Sequence, residues 1–290
     1  MANEIQRQVS VKNLLSTEAY KKRFKEVLKD KANTFMASVV NVSNLPSLKD
    51  AEPNSILKSA MVAATLDLPI DPNLGFSYLV PFTNKGVKEA QFQIGYKGFI
   101  QLAMRTGQYK TINAIEIYEG EIKSVNRLTG EIEFNENKDE IDGEIVVGYI
   151  AYFKLLNGFE KTLYMSKEDM EKYAKRYSQT YKSNKDYVVK SSLWTTDFDA
   201  MAVKTVLKRL LSKYGILSIE MQKALETDQA VIKDDNSVEY VDRQVEEEIE
   251  ENANKKTIDI LGEEEKEKAI EIKESKSEEV KQQEFEAPPF

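Results

Sequence analysis

The chain is 290 residues long and contains neither cysteine nor histidine. This excludes disulfides, thiolate nucleophiles, histidine-dependent triads and zinc sites of the Cys/His kind, and leaves only carboxylate chemistry with hard metals open. The net charge of −8 averages two unlike parts: residues 228–290 hold 21 acidic against 9 basic side chains, whereas residues 1–227 hold 28 acidic against 32 basic. A mildly basic body therefore carries a strongly acidic C-terminal segment. No signal-peptide core follows Met1 and no apolar run approaches the length of a membrane span, so a soluble, cytoplasmic protein without membrane contact is expected.

Residues 1–12 are polar and are expected to form a flexible N-terminus, followed by a core over 13–227. From Val11 to Val42 the apolar positions return at helical spacing and predict one or two amphipathic helices. Pro53 suits the first turn of a helix over "NSILKSAMVAATLDL", and "PIDPNLG" reads as a loop. "FSYLVPF" and "AQFQI" predict a hairpin, and Gly95 opens a helix that Gly107 ends. Strands are expected near 109–118, 121–126, 131–135, 145–155 and 159–164, joined by turns that favour antiparallel pairing. Ser166 caps a helix to about 178, a linker follows, and helices are expected over 195–214 and from Ser218. The pattern is an α+β fold in which an antiparallel sheet with a hairpin packs against several helices. Residues 228–290, charged and poor in aromatics, are expected to be a mostly disordered acidic tail.

Basic residues and aromatics concentrate in two blocks. On the helix after Gly95, Lys97, Gln101 and Arg105 fall on one line at i, i+4 and i+8, opposite a face that can dock on the sheet. On the helix over 195–214, Ala200, Val203, Val206, Leu207, Leu210, Leu211 and Tyr214 form one arc. Lys204, Lys208, Arg209 and Lys213 lie in the opposite half, with no acid among residues 200–219. One-signed charge on a helix favours an anionic partner, although a solvated face is the plainer alternative. Tyr96 and Trp194 are rings beside these cations; bases stack on such rings without regard to sequence, and core packing is the competing use. The sequence has no phosphate loop of the G-x-x-x-x-G-K-[ST] kind. Asp197, Asp199, Glu116, Glu119 and Glu121 are the acids a metal-dependent nuclease would need to converge. An adaptor whose basic helix packs on an acidic partner is the remaining rival.

The stretches "LDLPIDPNLGFSYLVPF", "FQIGYKGFIQLAMRTGQ" and "WTTDFDAMAVKTVLKRLLSKYGILSIEMQKAL" resemble the RecT family of phage and prophage recombinases, over about residues 12–227. Asp67 stands where a glycine is common in that family, Lys97 where arginine is common, and Gly215 where proline or alanine follows the tyrosine. The resemblance implies a Rad52-type annealing core. It also implies a protein that binds single-stranded DNA and anneals complementary strands to duplex DNA without ATP or covalent catalysis. Rings or helical filaments of the homo-oligomer are expected, with a phage exonuclease as partner in the host bacterial cytoplasm. A host single-stranded DNA-binding protein could meet the acidic tail. No cofactor is implied, with Mg2+ the one metal left open. Lys97, Arg105, Lys204, Lys208 and Arg209 would then hold phosphates, with Gln101 and Lys213 on the same faces and Tyr96 and Trp194 shaping the groove.

Overall fold

The structure is a computed structural model that describes residues 10–84, 86–126, 128–137, 141–178, 180–228, 230–232 and 238–240. The chain divides into two units, 1–247 and 248–290, and every described residue belongs to the first. The expected disorder of the tail beyond residue 240 therefore lies outside the described residues.

Helices α1 (Val11–Leu15), α2 (Glu18–Leu28) and α3 (Ala32–Ser43) occupy the N-terminal stretch where one or two were expected, with a 3-10 turn at Lys29–Lys31. Helix α1 starts inside the segment expected to be flexible, because Val11 and Leu15 are buried and the Ser10 side chain caps Asn13 N–H. Helix α4 (Pro53–Thr65) has Pro53 in its first turn, as its fixed φ allows, and the Glu52 carboxylate accepts from the N–H groups of Asn54 and Ser55. Its middle is buried nearly all round, from Ser59 to Ala64.

Strands β1 (Ser77–Asn84) and β2 (Val87–Ile94) form the expected hairpin, in register from Ser77 opposite Ile94 to Asn84 opposite Val87. Helix α5 (Tyr96–Arg105) follows at once. The loop before β1 presses on the start of α5: a Cβ on Gly95 or Gly98 would run into the carbonyls of Gly75 and Phe76. Glycine is needed at both positions for this close approach. Strands β3 (Tyr109–Glu119), β6 (Asp142–Leu155) and β7 (Glu160–Ser166) make an antiparallel sheet in the order β3-β6-β7, and β4 (Ile122–Val125) with β5 (Ile132–Phe134) makes a separate hairpin.

Helix α6 (Lys167–Tyr177) is capped by Ser166 Oγ, which accepts from Asp169 N–H at 3.1 Å. The expected linker contains α7 (Asp186–Ser191). The expected long helix is broken into α8 (Leu193–Thr196) and α9 (Phe198–Tyr214) at Asp197, whose φ of −150° and ψ of 63° are not helical. Helix α10 (Ile219–Thr227) follows, and then the chain re-enters the first sheet as β8 (Ala230–Ile232) and β9 (Val238–Tyr240), giving the order β1-β2-β8-β9. The fold thus continues past the boundary expected at 227. All described strand pairs are antiparallel, and the α+β class stands as expected.

Helix α9 lies at the centre. It packs on β3, β6 and β7 along one side and on α5 along another. Val206, Leu207, Leu210 and Leu211 are fully buried, each such side chain contributing roughly 1.5–3 kcal/mol.

Candidate nucleic-acid interface

The four cations expected on one open face of α9 separate into two pairs. Lys204 and Lys208 are 7% and 3% exposed. Their ammonium groups lie 3.4 and 3.0 Å from the two carboxylate oxygens of Asp228, and Ile94 N–H donates to the same carboxylate at 3.0 Å. Burial by itself would raise the Asp228 carboxyl, but the two lysines and the backbone donor outweigh it and hold the group below the usual carboxylate range. Lys204 and Lys208 are therefore not at the surface as expected. The sheet covers one flank of α9 and α5 another, so a cation at these positions is enclosed, and the first residue after α10 neutralises it.

Of the other pair, Lys213 is exposed and Arg209 half-buried. The Arg209 guanidinium lies 4.9 Å from the centre of the Tyr173 ring, Tyr173 meets Tyr177 at 4.6 Å, and Arg176 lies 5.0 Å from Tyr177. One turn along α9, Tyr214 is flanked by Lys213 at 5.6 Å and by Lys161 of β7 at 5.4 Å. Lys161 also donates to the Thr129 carbonyl at 2.9 Å, tying the β4–β5 hairpin to this edge. Tyr173 and Tyr177 are buried, so their rings hold cations in place rather than offering a face to bases. The outcome is two sets of ring-held cations on α6, α9 and β7, with Arg176 and Lys213 exposed and Arg209 and Lys161 half-buried. Arg176 and Lys161 were missed from sequence; Tyr173 and Tyr177 at i, i+4 beside a basic residue were the available signal.

On α5, Lys97 is exposed, and its aliphatic stem runs past Gly75. Gln101 and Arg105 line a groove of about 600 Å3 together with Lys31, Phe35, Leu74 and Phe76. Arg105 is engaged by the fold: its guanidinium donates to the carbonyls of Leu66 and Asp67 at 2.6 and 2.7 Å, satisfying the C-terminal end of α4. Asp67 has a left-handed φ of 48°, which explains the glycine common at this position, and its carboxylate accepts from Lys31 at 2.8 Å with Arg105 3.8 Å away.

The two rings singled out on sequence are inside or half inside. Trp194 is 6% exposed and meets Phe198 edge-on at 5.4 Å, the core use of the ring. Tyr96 is half-buried and its hydroxyl points to the Ala114 carbonyl at 3.4 Å. Burial pushes the Tyr149 hydroxyl far up, reinforced by the bond it donates to Asp199 at 2.5 Å. Asp199 is thus a partner of Tyr149, and among the described residues no three acidic side chains converge as a metal-binding group. No helix among the described residues is long and apolar enough to cross a membrane.

The family model described as "RecT family" matches residues 33–253, and the chain belongs to that family. The match leaves out α1 and α2 and runs through β8 and β9, later at both ends than the resemblance over about 12–227. The chain is 50% identical over 238 residues to the protein YqaK of Bacillus subtilis (strain 168), covering 82% of this chain and 76% of that protein. It is 28% identical over 196 residues to Protein RecT of Escherichia coli (strain K12), covering 66% of this chain and 69% of that protein.

Proposed function

We propose that this protein binds single-stranded DNA and anneals complementary strands without ATP, as an oligomer or helical filament in homologous recombination. Membership of the RecT family carries the reading, and the surface of Arg176, Arg209, Lys213 and Lys161 supports it, because cations pinned on rings lose little freedom when they meet phosphates. Lys97 extends the contact on α5. Lys204 and Lys208 act indirectly, by fixing α9 through Asp228.

Annealing on this reading involves no covalent step. Each protomer neutralises a few phosphates and leaves the pairing edges of the bases free, and repetition along the oligomer turns weak contacts into avidity. Helix α9 lying across the antiparallel β3-β6-β7 sheet is the part compatible with a Rad52-type core. A phage exonuclease that exposes the strand is the expected partner, and the acidic segment after residue 240 is a contact for a host single-stranded DNA-binding protein. No cofactor is needed; Mg2+ would enter as a counterion of the DNA.

The test mixes two complementary labelled oligonucleotides with the protein, without nucleotide, and follows duplex formation against a protein-free control. Acceleration in the native chain that is lost in the folded double variant Arg209→Ala, Lys213→Ala is the expected result. No acceleration over a range of salt, Mg2+ and protein concentration would overturn annealing. Shortened labelled strands would point to a nuclease, and tighter binding to an acidic protein than to oligo(dT) would favour an adaptor.

A further inference from the structure

The pairing of β3 with β6 slips at Tyr118 and resumes only at Glu119 opposite Asp142. Between Tyr118 and Val147 the chain forms a lobe built on the β4–β5 hairpin, and none of its described residues is buried. It is nonetheless rich in apolar side chains: Leu128 is 91% exposed, Phe134 49% and Ile145 48%. It is also acidic, with nine Asp or Glu against three Lys or Arg over residues 118–147. Large apolar side chains left exposed among mostly acidic neighbours favour a protein contact, and a net charge of −6 makes DNA an unfavourable partner.

Helix α2 has the complementary character. Over Glu18–Leu28 it carries four basic against two acidic side chains. Lys22, Arg23 and Lys25 are exposed, and Val27 is 39% exposed beside them. A shallow recess opens between Lys21, Lys22 and Lys25 and the acids Glu18 and Glu26, which pair with Lys21 at 3.5 Å and with Lys22 at 4.0 Å and leave Arg23 and Lys25 as the excess charge of the face. The other basic surface suits the lobe less well. Lys161 of that surface is already bonded to Thr129 of its own lobe, so an incoming lobe would meet like charge there.

We propose that the acidic lobe of one copy docks on the basic α2 face of the next. The contact joins two different patches, and repetition of such a head-to-tail contact yields a ring or an open helix rather than a closed dimer. The proposal deepens the oligomeric part of the proposed function, and rests on it.

Charge reversal tests it in the full chain. Lobe variant Glu119→Lys, Glu131→Lys, Glu144→Lys and helix variant Lys22→Glu, Arg23→Glu, Lys25→Glu are each checked for folding by circular dichroism and sized by sedimentation. Each alone is expected to need on the order of tenfold more protein to assemble, because like charges now face each other. Mixing the two variants restores assembly, since every lobe again meets a helix of opposite sign. A third variant, Leu128→Ser, alters no charge and replaces a side chain that is 91% exposed; it should weaken assembly too. Single variants that assemble like the native chain, or a mixture that stays dissociated, overturn the docking. Annealing is followed in parallel. A native chain that assembles and anneals while the variants assemble equally well sinks only this contact, whereas a native chain that does not anneal sinks the proposed function.

Discussion

Lys208 and Arg209 are neighbours in sequence and opposites in environment. With Lys204, Lys208 closes on Asp228 inside the molecule; with Lys213, Arg209 rests on tyrosine rings at its surface. A step of one residue turns a helix by about 100°. On a helix covered along two flanks, that step is enough to carry a cation from enclosed to half-exposed. A helical wheel reports the angle between side chains but not how many flanks are covered, so the same cluster of cations describes a binding face on a peripheral helix and a buried ionic cluster on a central one.

The largest expected effect comes from the buried side of this comparison. Asp228→Asn removes the carboxylate between two enclosed ammonium groups, and breaking a buried ion cluster in this way costs about 3–5 kcal/mol. Thermal unfolding should fall on the order of 10 °C. Below that transition, binding to oligo(dT) should keep its native salt dependence. An unchanged midpoint would erase the distinction between the pairs.

The same carboxylate sets a pH dependence. Its folded pKa is held below its unfolded value, so its contribution is complete above the ordinary carboxylate range and is lost as the pH falls through the folded value. Unfolding midpoints of the native chain and of Asp228→Asn should therefore differ most near neutral pH and converge in acid. A gap that stays constant down to strongly acid pH would show that the carboxylate's charge is not what holds the lysines.

On the open side, Arg209→Ala with Lys213→Ala should do the reverse, leaving stability within roughly 1 kcal/mol and weakening DNA binding. If both side chains hold phosphates, the slope of log affinity against log salt on single strands falls by about 1.4, close to 0.7 for each lost contact. A lower affinity with an unchanged slope would mean that the pair shapes the surface without touching phosphate.

Much of this fold is legible in the sequence because local signals agree with tertiary packing. The Ser166 cap, the Pro53 start, the hairpin at 77–94 and the run of sheet strands each rest on neighbours in the chain. What was not legible depends on distant partners. Asp228 looks like the first residue of an acidic tail until Lys204, Lys208 and Ile94 are brought to it, and nothing local to Arg105 announces the carbonyls of Leu66 and Asp67. Strands β8 and β9 are three residues each, too short for an alternating pattern to stand out from charged surroundings. Among the candidate site residues, Lys97 and Lys213 are exposed, Arg209 is half-buried, and Trp194 took the core alternative.

The smallest expected effect is the sharpest test of what the Tyr173 ring does for the half-buried Arg209. Arg209→Lys keeps the charge and gives up the flat guanidinium that lies on Tyr173, a contact in the range of about 0.5–1 kcal/mol. Stability should drop by no more than that amount, and, on the proposed function, the salt slope on oligo(dT) should stay at its native value, because the charge at this position is kept. The rate of annealing should nevertheless fall, since a lysine free of the ring must be ordered again each time a phosphate arrives. If annealing is unchanged while Arg209→Ala slows it, the ring is packing alone and charge is all that the strand reads at this position. If Arg209→Lys slows annealing as much as Arg209→Ala, the Tyr173 stack is what makes the surface cation effective, and the difference from the buried pair is one of orientation as well as exposure.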